Sequence, residues 1–232
     1  MDQLRSARPT AHVIVQHNKG FRTTPKPGVG NCGQDLWHAN QHAAGLARKY
    51  GSRYLLIIED DCEFLPGFRC NVPGILRHMA RHEDTACAYS LGSQPLLGYP
   101  VNATTTRIVL GGFTHAVLYN RRALEKFPEI RVKRLHDLEL MRPYSPITFY
   151  MGSKPSAVQL GLGESTENSD EWNVLNIPYA GYILSGGFYS HVLFYKIQHA
   201  FGRVGGVFTV ILFIVGLLWC IINLPTFERG RI

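Results

Sequence analysis

"YLLIIEDDCEF", Tyr54 to Phe64, places five residues fit for a buried strand directly ahead of three consecutive acids. Glu59, Asp60 and Asp61 begin where the apolar run stops, so the C-terminal end of that strand carries a knot of negative charge. Adjacent like charges repel and resist desolvation. Either something positive binds there or the acids point into water. In an open α/β sheet, ligands collect outside the carboxyl ends of the strands. Hard divalent cations take carboxylate oxygens, and Mg²⁺ or Mn²⁺ sites combine one or two carboxylates with substrate phosphates. The triplet alone reads more readily as a solvated acidic turn.

Outward from this strand, residues 1–171 alternate between apolar runs of strand length and stretches with helical spacing. "AHVIVQ" (11–16) reads as a first strand, followed by a Gly/Pro-rich loop. Leu36, Trp37, Ala43, Ala44 and Ala47 mark a helix from about Gln34 to Tyr50. After "YLLII" come a helix near Val72–His82 and strands over Thr85–Leu91 and Thr106–Leu110. "THAVLY" reads as a strand, with Asn120 as the N-cap of a helix over "RRALEKF". "ITFYM" is the last strand. Such alternation predicts an α/β domain: a mixed, largely parallel sheet with flanking helices.

The charge balance, 24 basic against 17 acidic residues, leaves +7 and favours an anionic partner. The basic residues are scattered in ones and twos, without the clusters of a nucleic-acid tract, so no nucleic-acid partner is expected. Five cysteines with no C-x-x-C pair indicate neither a zinc site nor a disulfide framework and lean toward a reducing compartment. "VFTVILFIVGLLWCIINL", Val207–Leu224, holds no charged residue across 18 positions. As a helix it would extend roughly 27 Å, enough for a single membrane span. Residues 172–206, rich in aromatics, read as a membrane-proximal segment, with a second span or a last piece of soluble core as the alternatives, and 225–232 as a short tail. No apolar N-terminal stretch is long enough for a signal peptide, so the α/β domain is expected on the cytosolic side, anchored by its C-terminus. Charge on the two flanks of the span, Lys196 and Arg203 against Arg229 and Arg231, is balanced.

Three ordered blocks carry a resemblance. "GNCGQDLWHANQHAAGLARKYGSRYLLIIEDDCEF" contains Gly30, Gly33 and His38, followed at a matching distance by Glu59-Asp60-Asp61. "GGFTHAVLYNRRALEKF" and "LHDLELMRPYSPITFYMGSKPSAVQ" follow it. Together they resemble the glycosyltransferase family 25 proteins, typified by bacterial lipopolysaccharide galactosyltransferases. Gln34 and Trp37 stand where that family has Cys and Ser. The resemblance implies a GT-A (Rossmann-like) fold with a nucleotide-sugar donor, a Mn²⁺ or Mg²⁺ cofactor at the acidic motif, and a glycan, lipid-linked or protein acceptor.

Site roles follow as expectations. Asp61 is the main metal ligand, with Glu59 beside it; Glu59 and Asp60 also face the donor. Lys19, Arg22 and Lys26, in the loop after the first strand, could add positive charge to a diphosphate, or form a solvated basic loop. An inverting transfer needs a group to take the acceptor hydroxyl's proton. Asp137 is that base or else an N-terminal dipole partner of a helix, with Glu139 the second candidate. Gly111 and Gly112 would admit close backbone approach by a sugar or make a turn. His115 faces the donor or lies in the core, and His38 is a structural histidine on its helix. Asn102-Ala103-Thr104 matches an N-glycosylation acceptor, relevant to a luminal domain. Two other classes compete: a catalytically degenerate transferase-fold membrane binding protein, and a metal-dependent phosphohydrolase.

Overall fold

The computed structural model describes residues 13–60, 62–92, 94–112, 114–133, 136–152 and 155–159, together with Ile211 and Val215. Helix α1 (Cys32–Lys49) begins at Asn31, whose side chain accepts from the Gln34 backbone N–H. Asp35 in its first turn and Arg48 and Lys49 in its last match the helix dipole. It stops at Gly51, whose φ of +65° suits glycine; Ser52 N–H returns to Ala47 O and Gly51 N–H to Arg48 O.

Strand β1 (Tyr54–Ile58), a short β2 (Cys62–Phe64) and helix α2 (Phe68–Arg81) follow. Helix α2 starts four residues before the predicted Val72 and runs through Pro73, with Phe68 buried at its head. Next come β3 (Cys87–Ser90), β4 (Gln94–Asn102), β5 (Thr105–Gly112) and β6 (Ala116–Asn120). Helix α3 (Arg121–Lys126), a 3₁₀ turn at Phe127–Glu129, helix α4 (His136–Leu140), β7 (Thr148–Gly152) and β8 (Ala157–Gln159) complete the described order.

Six strands form one sheet in the order β1-β6-β3-β7-β5-β4, and β2 pairs with β8 separately. The sheet is largely antiparallel, which corrects the parallel sheet expected from the alternation. Only β3 and β7 pair in parallel; β1 with β6, β6 with β3, β5 with β7 and β4 with β5 are antiparallel. Strands β1, β3 and β7 share one direction, as the intervening helices dictate. Strand β6 inserts between β1 and β3, and β5 lies between β7 and β4, both running the other way. Local alternation reports the sense of successive strands but not which strand lies between them.

Two further readings change. Residues 13–16 of "AHVIVQ" are not a strand, and Ile14 and Val15 are exposed. Strand β1, read as buried, is half-buried at all five positions, because among the described residues only β6 pairs with it. Strand β4 escaped the sequence reading because Pro95, Gly98 and Pro100 sit within it. Proline lacks the ladder donor and is tolerated at a sheet edge, where β4 lies with three register shifts.

Period-two alternation sorts β6 between two cores. Val117 and Tyr119 pack with Trp37, Ala44 and Ala47 of α1, Leu124 of α3 and Leu140 of α4. Ala116 and Leu118 pack with Phe68, Ile75 and Met79 of α2. Helices thus cover both faces of the sheet. Among the described residues no helix is long and apolar enough to cross a membrane. The span read at Val207–Leu224 lies outside them apart from Ile211 and Val215, both helical and exposed. The segments 172–206 and 225–232 also lie outside.

Candidate functional site

Glu59 and Asp60 lead the chain out of β1. Glu59 N–H donates to His115 O at 2.8 Å, extending the β1–β6 pairing by one residue, and Cys62 N–H returns to Glu59 O at 3.2 Å. Glu59 is half-buried and Asp60 exposed; Asp61, the expected main metal ligand, lies outside the described residues.

Between β5 and β6 the chain passes Thr114, which is 4 % exposed. Its hydroxyl lies 2.7 Å from Asp137 Oδ1 and 3.4 Å from Glu59 Oε1. One threonine therefore bridges an acid from the end of β1 and an acid from the first turn of α4. These were read from two separate blocks of sequence. The hydroxyl has a single proton to donate, and the shorter distance assigns it to Asp137.

Asp137 has a second donor. His136 Nδ1 lies 3.0 Å from Asp137 Oδ1, and its Nε2 lies 3.0 Å from Asn40 Nδ2. An amide nitrogen can only donate, so Nε2 accepts and the imidazole proton sits on Nδ1, within reach of the Asp137 carboxylate and of the Thr114 hydroxyl 3.2 Å away. His136 and Asn40 are both buried, and the His136 ring lies 5.7 Å from that of Trp37. The imidazole is thereby held in one tautomer and one orientation. Asp137 itself keeps a side chain 34 % exposed, so a substrate hydroxyl can reach it. Burial pushes the Tyr119 phenol far above its ordinary range, and the nearby charges of Asp137 and Glu59 push it further. Tyr119 stays neutral beneath the cluster.

The other expected residues are placed as follows. Glu139 Oε2 accepts from the Lys133 backbone N–H at 2.9 Å, tying down the loop ahead of α4. Asp137, not Glu139, joins the carboxylate cluster. Gly111 and Gly112 lie within β5 and make no turn; Gly111 N–H donates to Met141 O, pinning the strand to the end of α4. His115 is 2 % exposed and packs in the core against Gly92, where an added Cβ would come 2.4 Å from its Nε2 and 2.2 Å from Ala157 O. His38 is exposed.

Lys26 is engaged structurally: its ammonium pairs with the buried Asp35 carboxylate and donates to Asn18 Oδ1. Asp35 also accepts from Phe21 N–H and Asn18 Nδ2, so it organises the whole 18–26 loop. Lys19 and Arg22 stand exposed on that loop. Among the described residues no contact joins either of them to the carboxylate cluster.

Thr114, His136 and Asn40 were missed in the sequence. Asn40 left a signal: it shares the helical stripe of Trp37, Ala44 and Ala47, and an amide in such a stripe needs a buried partner. Glu59 and Asp60 offer hard oxygen donors at a strand end, which suit Mg²⁺ or Mn²⁺ completed by substrate phosphates rather than zinc. Among the described residues no group of three His, Cys, Asp or Glu side chains stands close enough to hold a metal. No protein-family model matches the chain, and comparison with curated proteins finds no significant match.

Proposed function

We propose that the protein is a metal-dependent, inverting glycosyltransferase of the GT-A type. It would move a sugar from a nucleotide-sugar donor to a hydroxyl of a glycan, lipid-linked or protein acceptor. The observation that carries this reading is the convergence on Thr114 of Glu59, from the strand-end acids, and Asp137, from a distant segment. A donor-handling acid and a candidate base thus share one partly exposed cluster.

In this mechanism Asp137 takes the proton of the acceptor hydroxyl as the hydroxyl oxygen bonds to the anomeric carbon. The bond from that carbon to the diphosphate oxygen breaks, and the nucleoside diphosphate leaves with the electron pair. His136 and Thr114 hold the carboxylate in place while it accepts the proton. A divalent cation held by Asp61 and Glu59 would supply neutralisation of the leaving diphosphate. The charge-free segment 207–224 anchors the enzyme to a membrane, with the catalytic domain on the cytosolic face where nucleotide sugars are supplied.

The test incubates the full chain with a panel of nucleotide sugars, with Mn²⁺ or with chelator, and identifies products by mass spectrometry. Manganese-stimulated transfer or donor hydrolysis that Asp61→Asn abolishes, with folding intact, is the expected result. Metal-dependent turnover unchanged in Asp61→Asn removes that residue as the ligand. No turnover of any donor removes the transferase reading.

A further inference from the structure

Away from the carboxylate cluster, a small surface hollow opens between β5 and the segment joining α4 to β7. Arg107 of β5 and Arg142 line it, together with Ser145, Thr148, Ile108 and Ile147; among the described residues no acidic one does. Both arginines are exposed, and among the described residues neither stands in an ion pair. Among the described residues Arg53 meets Glu83, and Arg121 and Arg122 meet Glu125.

The local structure organises this charge without cancelling it. Arg107 Nη1 donates to the Tyr99 hydroxyl at 3.0 Å, and its guanidinium carbon lies 5.9 Å from the Tyr99 ring centroid. Tyrosine is a neutral partner, so it orients the guanidinium and leaves its charge intact. Arg142 opens a tight turn in which Ser145 N–H returns to Arg142 O at 3.0 Å. Within that turn Pro143 fixes one backbone angle. Ser145 Oγ accepts from Ile147 N–H at 3.3 Å, which leaves the hydroxyl proton to donate elsewhere.

Two guanidinium forks and two hydroxyls on the walls of one hollow match a tetrahedral oxyanion, whose several oxygens each accept. Unmatched positive charge flanking a concavity also raises the local concentration of anions. We propose that the hollow between Arg107 and Arg142 is an anion site that takes a phosphate group, as a monoester or diester. None of Glu59, Thr114, His136 and Asp137 lines it, and it does not depend on the transferase reading. The phosphate comes either from a soluble ester or from a lipid headgroup.

The full chain in zwitterionic nanodiscs is titrated with inorganic phosphate by calorimetry at low salt, with chelator present to silence any metal at the acids. Saturable one-to-one binding is expected, weakened about tenfold by Arg142→Ala and further by Arg107→Ala/Arg142→Ala. Arg142→Lys should recover only part of the loss, since it restores charge without the fork. Arg121→Ala removes an equal charge at a residue that does not line the hollow, and should change nothing. Circular dichroism of each variant must overlay the parent. Repeating the titration in phosphatidylglycerol nanodiscs separates the sources: a lost isotherm assigns the headgroup, a retained one the soluble ester. Non-saturable binding, or equal weakening by Arg121→Ala and Arg142→Ala, overturns the site in favour of diffuse charge.

Discussion

Thr114 has one hydroxyl proton and two carboxylates within reach, at 2.7 Å and 3.4 Å. That geometry makes Asp137 the better-held acid, and the His136 N–H adds a second restraint. Asp137→Asn should therefore lower turnover by about 10²–10⁴ while leaving donor affinity in place, because a lost base spares ground-state binding. Glu139→Gln should leave turnover nearly unchanged, since that carboxylate serves the Lys133 backbone. The reverse pattern in steady-state kinetics would move the base to Glu139. Thr114→Val keeps the shape of the side chain and deletes the shared proton. It should lower kcat by about tenfold with KM for the donor held, the mark of an interaction lost only along the reaction path. Equal kcat in Thr114→Val would leave Thr114 no part beyond packing. A product that retains the donor's anomeric configuration would reject the direct displacement altogether.

Asn120 shows how one side chain can join several elements. Buried at 1 % exposure, its oxygen accepts from Ala123 N–H, capping α3, and from Cys87 N–H at the start of β3. Its amide nitrogen donates to His82 O and Thr85 O in the turn that ends α2. Asn120→Ala leaves two donors and two acceptors without those bonds. Chemical denaturation should show a loss of about 2–4 kcal/mol; a loss under 1 kcal/mol would mean that water replaces the amide.

On the buried face of α2, His78 packs against the rings of His82, Tyr89 and Tyr150. Burial first, then the neighbouring His82 and Arg81, lowers its pKa from 6.5 to about 4. The folded state thus binds this proton more weakly than the unfolded chain does. Its stability contribution is intact above pH ~6.5 and falls as the pH drops toward ~4. Urea denaturation should lose roughly 1–2 kcal/mol more between pH 7 and pH 5 in the parent than in His78→Phe. Equal slopes would show that the histidine titrates normally in the fold.

For the whole molecule, the proposed membrane anchor at 207–224 is open to direct test. Residues 207–224 lack charge altogether, whereas the sheet domain keeps its apolar side chains in two cores, one on each face. The chain should resist alkaline carbonate extraction, and replacing Leu217 and Leu218 by Arg should release it. Extraction of the parent by carbonate would remove the anchor. Protease treatment of sealed vesicles should digest the sheet domain from the cytosolic face. Protection of that domain, or a glycan on Asn102 in its exposed hairpin turn, would reverse the orientation.

Local signals were sufficient where the physics is local. The Asn31 cap, the Gly51 stop, the Asn120 cap and the β-period of "AVLY" depend on residues a few positions apart, so α1, α3 and β6 are legible in the sequence. The acidic triplet was also legible as a strand end, because charge cannot continue an apolar run into a core. Pairing was not. That β6 lies antiparallel between β1 and β3, and that proline-bearing β4 still forms an edge, follows from contacts made across the fold. The site divides in the same way. Glu59 and Asp137 could each be named from their own surroundings, but their meeting on Thr114 depends on three elements arriving together. Asn40 and His136 are 96 residues apart, and only burial against α4 turns an ordinary helical amide into the partner that sets a histidine's proton. Chain neighbours decide caps and turns; which polar groups share a proton is decided by packing.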